Sequence, residues 1–271
     1  MGFEDWMDAV GDDATDALVA ALADTNSPAV VLTGAGISAA SGVPSFRGHS
    51  GLWSRYDPRD YATIQAFRAD PAKVWEMLWK LDGILDDAEP NPAHEAIADL
   101  EHLGFVSSLI TQNIDGLHHQ AGSRNVIELH GSRRTLTCLT CGRTFPREEV
   151  LAVVEPPEVP RCRACEGYLK PDVVLFGEEL PRDAARRAEQ AVRACDDLLV
   201  VGTAAEVEPA ASLPRLARSE GARIWEINLE ASISTDRRIT QAAEEVLPTI
   251  VARLRRQGAA GLWHRLRERL H

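Results

Sequence analysis

Four of the five cysteines have the spacing of a metal-binding site. Cys138 and Cys141 form one C-x-x-C pair, and Cys162 and Cys165 form a second pair further along the chain. Each pair can turn two thiolates toward one point, and two pairs complete a tetrahedral site for zinc. Because such a site leaves no position open for water, we predict one structural zinc ion per chain. Two redox-active dithiols are the alternative, although neither pair opens a helix after a strand, as a thioredoxin-like site would.

A glycine-rich turn follows the first apolar run of the chain. Ala29–Leu32 is predicted to be a buried strand, and Gly34, Gly36 and Ala39 then fit the pattern G-x-G-x-x-A. Glycine lacks a Cβ atom, so the backbone can approach a pyrophosphate, while the N-terminus of the following helix offers unpaired N–H groups to the anion. The pattern also fits an ordinary tight turn. The next loop, 42–48, departs from a common dinucleotide fold because an aromatic residue and an arginine stand where the helix would continue: Phe46 and Arg47.

Polar or glycine clusters follow four further apolar runs. They are Gln112–Gly116 after Phe105–Thr111, His130-Gly131 after Asn125–Leu129, Gly202-Thr203 after Leu198–Val201, and Asn228–Glu230 after Ala222–Ile227. In open α/β sheets the carboxyl ends of the strands hold the ligands, so these clusters are predicted to line one site. His130 is well placed there for proton transfer near neutral pH. Asp115 alone could instead cap a helix, but a cap would leave its polar neighbours unexplained.

A dehydrogenase is disfavoured by the positions of the acidic residues. In that class, an acidic residue about 20 residues past the glycines ends a second strand and binds the ribose. Here that position falls near Trp53–Asp57, with no strand before it. Asn228 or Glu230 would therefore have to bind the ribose.

Strands that alternate with helices indicate an α/β fold with a parallel, doubly wound sheet. Two segments interrupt the pattern and are predicted to form a smaller, inserted domain: a helical module over 45–89 and a four-cysteine zinc ribbon over 138–169. The larger domain then comprises 1–44, 90–137 and 170–271. In the helical module, Asp70-Pro71 predicts the start of a helix over Ala72–Leu85, whose apolar face either packs in the core or lines a substrate channel. Two more helices are predicted near the end of the chain, over Thr249–Arg256 and Leu262–Leu270.

The composition indicates a globular protein without a nucleic-acid-binding surface. The chain has 271 residues and a formal net charge of −12, whereas affinity for phosphates comes mostly from Lys and Arg. Cationic partners such as lysine-rich peptide segments fit this charge better. No apolar run approaches ~20 residues, so no membrane span is predicted, and the acidic N-terminus does not resemble a signal peptide. Cysteines used in a metal site rather than in disulfides favour a cytoplasmic location.

Together the motifs resemble those of the sirtuins, which are NAD-dependent protein lysine deacylases. The matching stretches are GAGISAASGVPSFRG, TQNIDGLH, IELHG, the four-cysteine pattern, KPDVVLFGE, VVGT and INLE, and they extend from Ala29 to about Val251. Their order along the chain is also that of the family. The resemblance implies a Rossmann-type large domain, a zinc-bearing small domain, and a cleft between them for NAD and an acyl-lysine peptide.

The resemblance also implies roles for individual residues. His130 would be the general base, and Asn113 and Asp115 would be catalytic residues that line the nicotinamide pocket. NAD would be contacted by a set of residues near the strand ends: Gly34, Ala35, Gly36, Phe46, Arg47, Gln112, Asn113, Ile114, Asp115, Gly202, Thr203, Asn228, Leu229, Glu230 and Ala243. Val174, Phe176 and Gly177 would pair with the substrate backbone. The family usually has serine after Gly-Thr, where this chain has Ala204, so one hydrogen bond to a phosphate or ribose would be absent.

Acyl preference is predicted from the helix after Pro71. Sirtuins that remove succinyl or malonyl groups carry a tyrosine and an arginine three residues apart on this helix, and the stretch 74–76 matches the residues that lead into that pair. The corresponding positions are Leu78 and Leu81, which share a helix face and could line the acyl channel. Without arginine, an acidic acyl group would lose its water and gain no partner, so an acetyl or another apolar acyl group is expected. Lys80 could supply a charge if the helix were rotated.

The implied reaction uses NAD as co-substrate to remove acetyl groups from protein lysine. It gives free lysine, nicotinamide and O-acyl-ADP-ribose, and its partners are acetyl-lysine-bearing proteins. A protein mono-ADP-ribosyltransferase would use the same NAD site, and only product analysis separates the two. A non-catalytic protein that binds NAD, or that uses a zinc module for interaction, is a third interpretation, against which His130 and the complete Gln112–Asp115 cluster weigh.

Overall fold

The structure is a computed structural model that describes residues 13–24, 27–45 and 51–268, with side chains described as far as 257. Its strands are β1 (Ala29–Thr33), β2 (Val106–Thr111), β3 (Val126–Glu128), β4 (Gly131–Cys138), β5 (Thr144–Pro146), β6 (Leu169–Val173), β7 (Asp197–Val201), β8 (Arg223–Ile227) and β9 (Arg237–Ile239). Its α-helices are α1 (Asp13–Asp24), α2 (Pro58–Tyr61), α3 (Ile64–Ala69), α4 (Pro71–Asp87), α5 (Pro92–His102), α6 (Leu117–Gln120), α7 (Arg147–Leu151), α8 (Arg182–Ala194), α9 (Leu213–Ser219) and α10 (Ala243–Glu268). Short 3₁₀ helices cover Ala35–Ser41, Leu52–Ser54 and Ala210–Ser212.

Six of these strands form one parallel sheet with the order β3-β2-β1-β7-β8-β9. Every pairing between neighbours is parallel. The chain first builds outward from β1 to β3 and later continues on the other side of β1 with β7. In open α/β sheets, ligands bind where the strand order reverses in this way, which here is between β1 and β7.

Helices cover both faces of the parallel sheet, which confirms the predicted doubly wound architecture. Val31 faces a core that includes α1, α5 and α10, whereas Val30 and Leu32 face a core that includes α8 and α9. All five residues of β1 are buried, because a central parallel strand packs on both faces. The continuous apolar run in its sequence has this cause.

A second sheet is antiparallel and has the order β5-β4-β6. Its core is shared with the helical segment, since Phe67 and Trp75 pack in one cluster with Leu136, Cys162 and Leu169. The helical and cysteine-bearing segments therefore form one packed unit. Strand pairing also places 131–137 and 170–173 in this sheet, although the domain limits predicted from the sequence assign both stretches to the larger domain. The division into domains stays a prediction.

Three local features differ from the sequence-based expectation. The helix after the glycine-rich turn is 3₁₀ and has seven residues, because Gly42 ends it with a φ of 79°. The two helices expected near the C-terminus belong to the single helix α10, which runs without a break over Ala243–Glu268; residues 269–270 lie outside the described part. Strand β9 was not expected, since two of its three residues are arginines. None of the described helices combines the length and the apolar composition that crossing a bilayer requires.

Candidate active site

The carboxyl ends of five parallel strands meet at one cavity. In the order of the sheet, the residues that follow these strands are His130, Gln112, Gly34, Gly202 and Asn228. All five line a cavity of about 1220 Å³, whose other walls include residues of α4, of α8 and of the stretch after β6. The structure therefore brings together the clusters that the sequence indicated. Further predicted NAD contacts on its wall are Ala35, Gly36, Asn113, Ile114, Thr203, Leu229 and Glu230.

Three glycines allow the carboxyl ends of β1 and β7 to lie in direct contact. A Cβ atom on Gly36 would lie 2.7 Å from the carbonyl oxygen of Gly202, and one on Gly34 would lie 2.6 Å from the Cβ of Thr203. Gly202 has a φ of +59°, and a Cβ there would lie 2.4 Å from the backbone nitrogen of Ile37. The N–H of Gly36 donates to Gly202 at 2.8 Å, so this amide is used within the chain and is not free for an anion as the motif suggested. The glycine pattern thus reports close packing at the switch point of the sheet as well as room for a ligand.

Asn113 and Asp115 are buried and belong to one hydrogen-bond network. The Asn113 amide nitrogen donates to the Gly34 carbonyl and to Ser38 Oγ, both at 3.1 Å. Ser38 Oγ donates to Asp115 at 2.7 Å, and the other Asp115 oxygen accepts from the N–H of Leu117 at 3.0 Å. Asn113 Oδ1 is buried and has no hydrogen-bond partner among the described residues. Because Asn113 also lines the cavity, this oxygen is a candidate acceptor for a ligand with an N–H group.

The Asp115 carboxylate closes the wall of a smaller pocket that adjoins the main cavity. This pocket has a volume of about 20 Å³, and Ala35, Asn113 and Ile114 line both spaces. Gly116 is the N-cap residue of α6, and Asp115 directly precedes it. Both Asp115 oxygens already accept hydrogen bonds, one from Ser38 and one from Leu117, so a ligand would share these acceptors.

Two buried histidines lie next to this hydrogen-bond network and contact Ser38 and Thr33. His94 Nε2 lies 3.3 Å from Ser38 Oγ, His118 Nε2 lies 3.0 Å from Thr33 Oγ1, and the two rings meet edge to face at 4.8 Å. Burial lowers the pKa of His94 to about 4 although Asp115 acts in the opposite direction, and burial lowers the pKa of His118 well below its ordinary value. Both rings are therefore neutral at pH 7. The sequence indicated a core position for His94, but it did not reveal that Ser38, Thr33 and His118 connect to the cluster.

His130 has one ring nitrogen held by the backbone. Its Nδ1 lies 2.9 Å from the carbonyl oxygen of Gln112. A carbonyl oxygen can only accept, so Nδ1 carries the proton and Nε2 keeps its lone pair. Burial lowers the pKa of His130 below 6.5, against the raising effect of the Gln112 bond. The ring that lines the cavity is therefore neutral at neutral pH, and its Nε2 can accept a proton.

The loop after β8 is held by a buried carboxylate. Glu226 is fully buried and accepts from the N–H of Ser232 at 2.9 Å and from Arg238 Nε at 2.6 Å. These bonds hold the pKa of Glu226 below its ordinary value although burial alone would raise it. Asn228 Nδ2 donates to Thr203 O at 3.3 Å and links this loop to the end of β7. Glu226 was not expected, because a glutamate inside a strand gives no sign that it ties down the following loop.

One predicted NAD contact lies away from the cavity, and two lie outside the described residues. Leu229 and Glu230 are exposed on the cavity wall. Ala243 instead packs in the core beside α1 and α5 and does not line the cavity. Phe46 and Arg47 lie outside the described part of the chain.

The opposite end of the cavity is apolar. Leu78 and Leu81 on α4 line it and are 6% and 8% exposed, and Met77, Leu52 and Ile114 extend the same wall. Lys80 points away from the cavity, since its Nζ pairs with Glu76 at 2.8 Å on the surface. Among the described lining residues, the cations are Arg182 and Arg186, both on α8.

The stretch after β6 forms the wall between His130 and the helical segment. Val174 donates its N–H to the carbonyl of His130 at 2.8 Å. Phe176 donates to Ala62 O at 2.8 Å and accepts from Ile64 N at 3.0 Å. Both backbone groups of Phe176 are therefore used within the chain, and the expectation that they pair with a substrate backbone does not fit this geometry. Phe176 as a residue is 42% exposed, and it lines the cavity together with Val174 and Gly177.

The four paired cysteines converge on one point away from the cavity. Their sulfur atoms all lie within 4.8 Å of one another, with Cys138 and Cys165 at 3.5 Å and Cys141 and Cys162 at 3.7 Å. Tetrahedral zinc with bonds of about 2.3 Å would separate its sulfur ligands by about 3.8 Å, so the four thiols fit zinc. Cys138 and Cys162 belong to the core of the second sheet. The metal site therefore braces that sheet and takes no place in the cavity.

Most of the chain is similar to proteins of one family. The model of the Sir2 family matches residues 34–209. NAD-dependent protein deacylase 2 of Pyrobaculum aerophilum is 49% identical over 242 residues, which is 88% of this chain and 96% of that protein. A solved complex of a Sir2 homologue with NAD has a TM-score of 0.82 at 43% identity, covering 89% of this chain and 94% of the other. A Sir2 variant solved with a deacetylated peptide and 3′-O-acetyl ADP-ribose has a TM-score of 0.82 at 32% identity, covering 90% and 98%.

Proposed function

The chain belongs to the Sir2 family and is an NAD-dependent protein deacylase, and we propose that His130 is the base with which it removes acetyl groups from lysine. The observation that carries this proposal is the state of the His130 ring. Its Nδ1 proton is committed to the Gln112 carbonyl, so Nε2 is the basic nitrogen. His130 lines the same cavity as the strand-end residues and the leucines of α4.

NAD fits the strand-end side of the cavity. Asn113 Oδ1, buried and without a partner among the described residues, would accept an N–H of the nicotinamide carboxamide. Gly34, Gly36 and Gly202 leave room for the phosphates, and Asn228 with Glu230 lies where the ribose of the adenosine would be bound. When bound, NAD supplies the ribose carbon that accepts the acyl oxygen as nicotinamide leaves. Each of these contacts, including those of Ala35, Gln112, Ile114, Asp115, Thr203 and Leu229, remains a proposal.

His130 would move one proton in this reaction. Its Nε2 takes a proton from a ribose hydroxyl, which can then attack the acyl carbon. Apolar side chains such as Leu78 and Leu81 would surround the acyl group, so that little water enters before nicotinamide has left. One water is consumed when the lysine amine leaves the acyl carbon, and the products are free lysine, nicotinamide and O-acyl-ADP-ribose.

The partners of the enzyme are acylated proteins, and we propose acetyl-lysine as the preferred form. Binding of nucleic acid remains unexpected on grounds of charge, since the formal net charge is −12. A cytoplasmic location rests on the use of cysteines in a metal site rather than in disulfides.

Product analysis tests the proposal directly. Purified protein is incubated with NAD and an acetyl-lysine peptide, and peptide and nucleotide masses are followed in time. We expect the peptide to lose one acetyl group while O-acetyl-ADP-ribose and nicotinamide form in equal amounts. The same peptide without NAD is the control. Addition of ADP-ribose to a protein, without loss of acetyl, would establish the transferase instead, and NAD binding without any product would establish a non-catalytic protein.

A further inference from the structure

A buried lysine lies behind the wall that separates His130 from the helical segment. Lys170 is 6% exposed, on β6. Its ammonium group donates to the carbonyls of Pro171 and Val173, both at 2.8 Å, and lies 3.1 Å from Glu178 Oε2. An ammonium group has three N–H donors, and here each has one acceptor. A charge placed this deeply with all its donors used is unusual unless it holds its surroundings in place.

The three acceptors belong to one short stretch of chain, residues 171–178. Glu178 Oε2 also accepts from the N–H of Leu175 at 2.9 Å, and the N–H of Glu178 donates to Leu175 O at 3.0 Å. Gly177, with a φ of +87°, allows this tight turn. Lys170 and Glu178 thus close the turn that presents Phe176 to the cavity.

The same ammonium group reaches His130 through one peptide unit. The carbonyl of Val173 accepts from Lys170, and the N–H of Val174, on the other side of the same peptide bond, donates to His130 O. Because a peptide unit is planar, holding its oxygen also fixes the direction of its N–H. Gly131 makes this approach possible, since a Cβ there would lie 2.1 Å from the carbonyl oxygen of Asp172.

We propose that Lys170, with Glu178 as its counter-ion, is a positioning residue for deacylation. It sets the distance between His130 and the stretch 174–178 on the cavity wall. This inference rests on the proposed function of the cavity. Lys170 does not line the cavity, so it acts through Val173, Val174 and the turn at 175–178. NAD is proposed to bind at the strand ends of the parallel sheet, so the loss of Lys170 should have little effect on the affinity for NAD.

Steady-state kinetics of Lys170→Met test this inference once wild-type deacylation has been measured. The change keeps the apolar stem and removes all three donors, leaving two carbonyls and a carboxylate without a partner. We expect kcat/KM for the acetyl peptide to fall about tenfold or more, since an unsatisfied buried group is worth a factor of that size. The Kd for NAD, measured by calorimetry without peptide, should change by less than threefold. Lys80→Met, which removes a lysine from a surface ion pair, is the matched control and should match the wild type.

A second variant keeps the test decisive if Lys170→Met does not fold. Glu178→Gln preserves shape and an acceptor oxygen but removes the charge, and we expect a smaller loss of kcat/KM for the peptide with the Kd for NAD again preserved. Equal losses in peptide turnover and NAD affinity would show a general structural role and overturn the inference. Wild-type kinetics in a folded variant would overturn it too. A wild-type protein that releases no acetyl group would instead refute the proposed function.

Discussion

The two ends of the cavity are built by different means. At the NAD end, where we propose that NAD binds, backbone and short polar side chains are in direct contact: three glycines pack two strand ends together, and Ser38, Asn113 and Asp115 share one hydrogen-bond network. At the acyl end, where we propose that the acyl group binds, the wall consists of apolar side chains on α4, such as Leu78 and Leu81. The first end depends on the identity of each residue, because the packed backbone and its polar partners cannot rearrange around one added carbon or replace one lost donor. The second depends on volume and polarity, and apolar cores tolerate exchanges of similar size. The five predictions below test this contrast in order of decreasing effect.

Loss of zinc should act on the sheet that supports the acyl end. Thiolate-bound zinc contributes on the order of 10 kcal/mol to the folding of isolated zinc modules. Cys138→Ala or Cys162→Ala should therefore lower stability and solubility before it alters the chemistry, while Cys195→Ala, a buried cysteine outside the cluster, should retain the metal. Elemental analysis should give one zinc per chain for the wild type. A soluble, active protein free of metal would contradict this prediction.

Replacement of His130 should remove turnover and leave the NAD end intact. His130→Ala should lower kcat by ~10²–10⁴, which is the usual contribution of a general base. In the wild type, activity should rise with pH through a pKa below 6.5, because only the neutral ring can accept a proton and burial lowers its pKa. Calorimetry should show NAD affinity within a few-fold of the wild type. A variant with normal turnover would remove His130 from the mechanism.

Acid should destabilise the NAD end through its buried histidines. The pKa of His94 is lowered from 6.5 to about 4 in the folded chain. The unfolded chain therefore binds the proton first as the pH falls, so the stability that neutral His94 contributes is complete above 6.5 and is lost toward 4. The loss is about 1.4 kcal/mol per pH unit for one histidine. Urea unfolding at several pH values should give a shallower pH dependence for His94→Gln than for the wild type. An equal pH dependence in the two proteins would contradict this prediction.

Acyl selectivity should follow the polarity of the α4 wall. With leucines at 78 and 81, the wild type should prefer acetyl over succinyl on one peptide by at least ~10²-fold in kcat/KM, which corresponds to ~2.7 kcal/mol. Leu81→Arg should narrow this ratio, because it places a guanidinium on the cavity wall. Ile84→Arg, on the exposed side of the same helix, is the matched control. Equal or faster desuccinylation by the wild type would end the idea.

Glycine should matter in opposite ways at the two ends. Gly83 lies inside α4, is exposed, and a Cβ there meets nothing within 4 Å. Gly83→Ala should raise the free energy of unfolding by about 0.5–1 kcal/mol without changing activity, because alanine favours a helix interior. Gly36→Ala should weaken NAD binding, since its Cβ would lie 2.7 Å from Gly202 O. Thermal melting and calorimetry with NAD on both variants check this contrast. The contrast fails if Gly83→Ala lowers the melting temperature, or if Gly36→Ala leaves the Kd for NAD unchanged.

The NAD end could be predicted from the sequence better than the rest of the site. Each of its clusters follows an apolar strand, so one rule about parallel sheets placed Gln112, His130, Gly202 and Asn228 on one edge. The supporting contacts were not predictable, because Ser38, His118 and Glu226 meet their partners through tertiary packing and have no local pattern. Likewise, the motif could not show that the Gly36 amide is already bonded.

The extent of the smaller sheet was not predicted from the sequence. The C-x-x-C pairs and the apolar helix after Pro71 indicated the two segments that pack around it, but β4 begins before the expected limits and β6 ends beyond them. Their pairing is set by contacts between residues more than thirty positions apart, such as Gly131 with Val173. Ala243 illustrates the opposite failure, in which a position carried over by resemblance packs in the core.

His130 lies between two sheets and is part of neither. Two residues separate the end of β3, in the parallel sheet, from the start of β4, in the antiparallel one, and His130 is the second of them. Its ring is held by Gln112 from one side and its carbonyl by Val174 from the other. The proposed base is therefore held in place only when both sheets have formed. A chain in which one sheet alone had formed would lack one of these two contacts, so we expect deacylase activity to measure whether both sheets are folded.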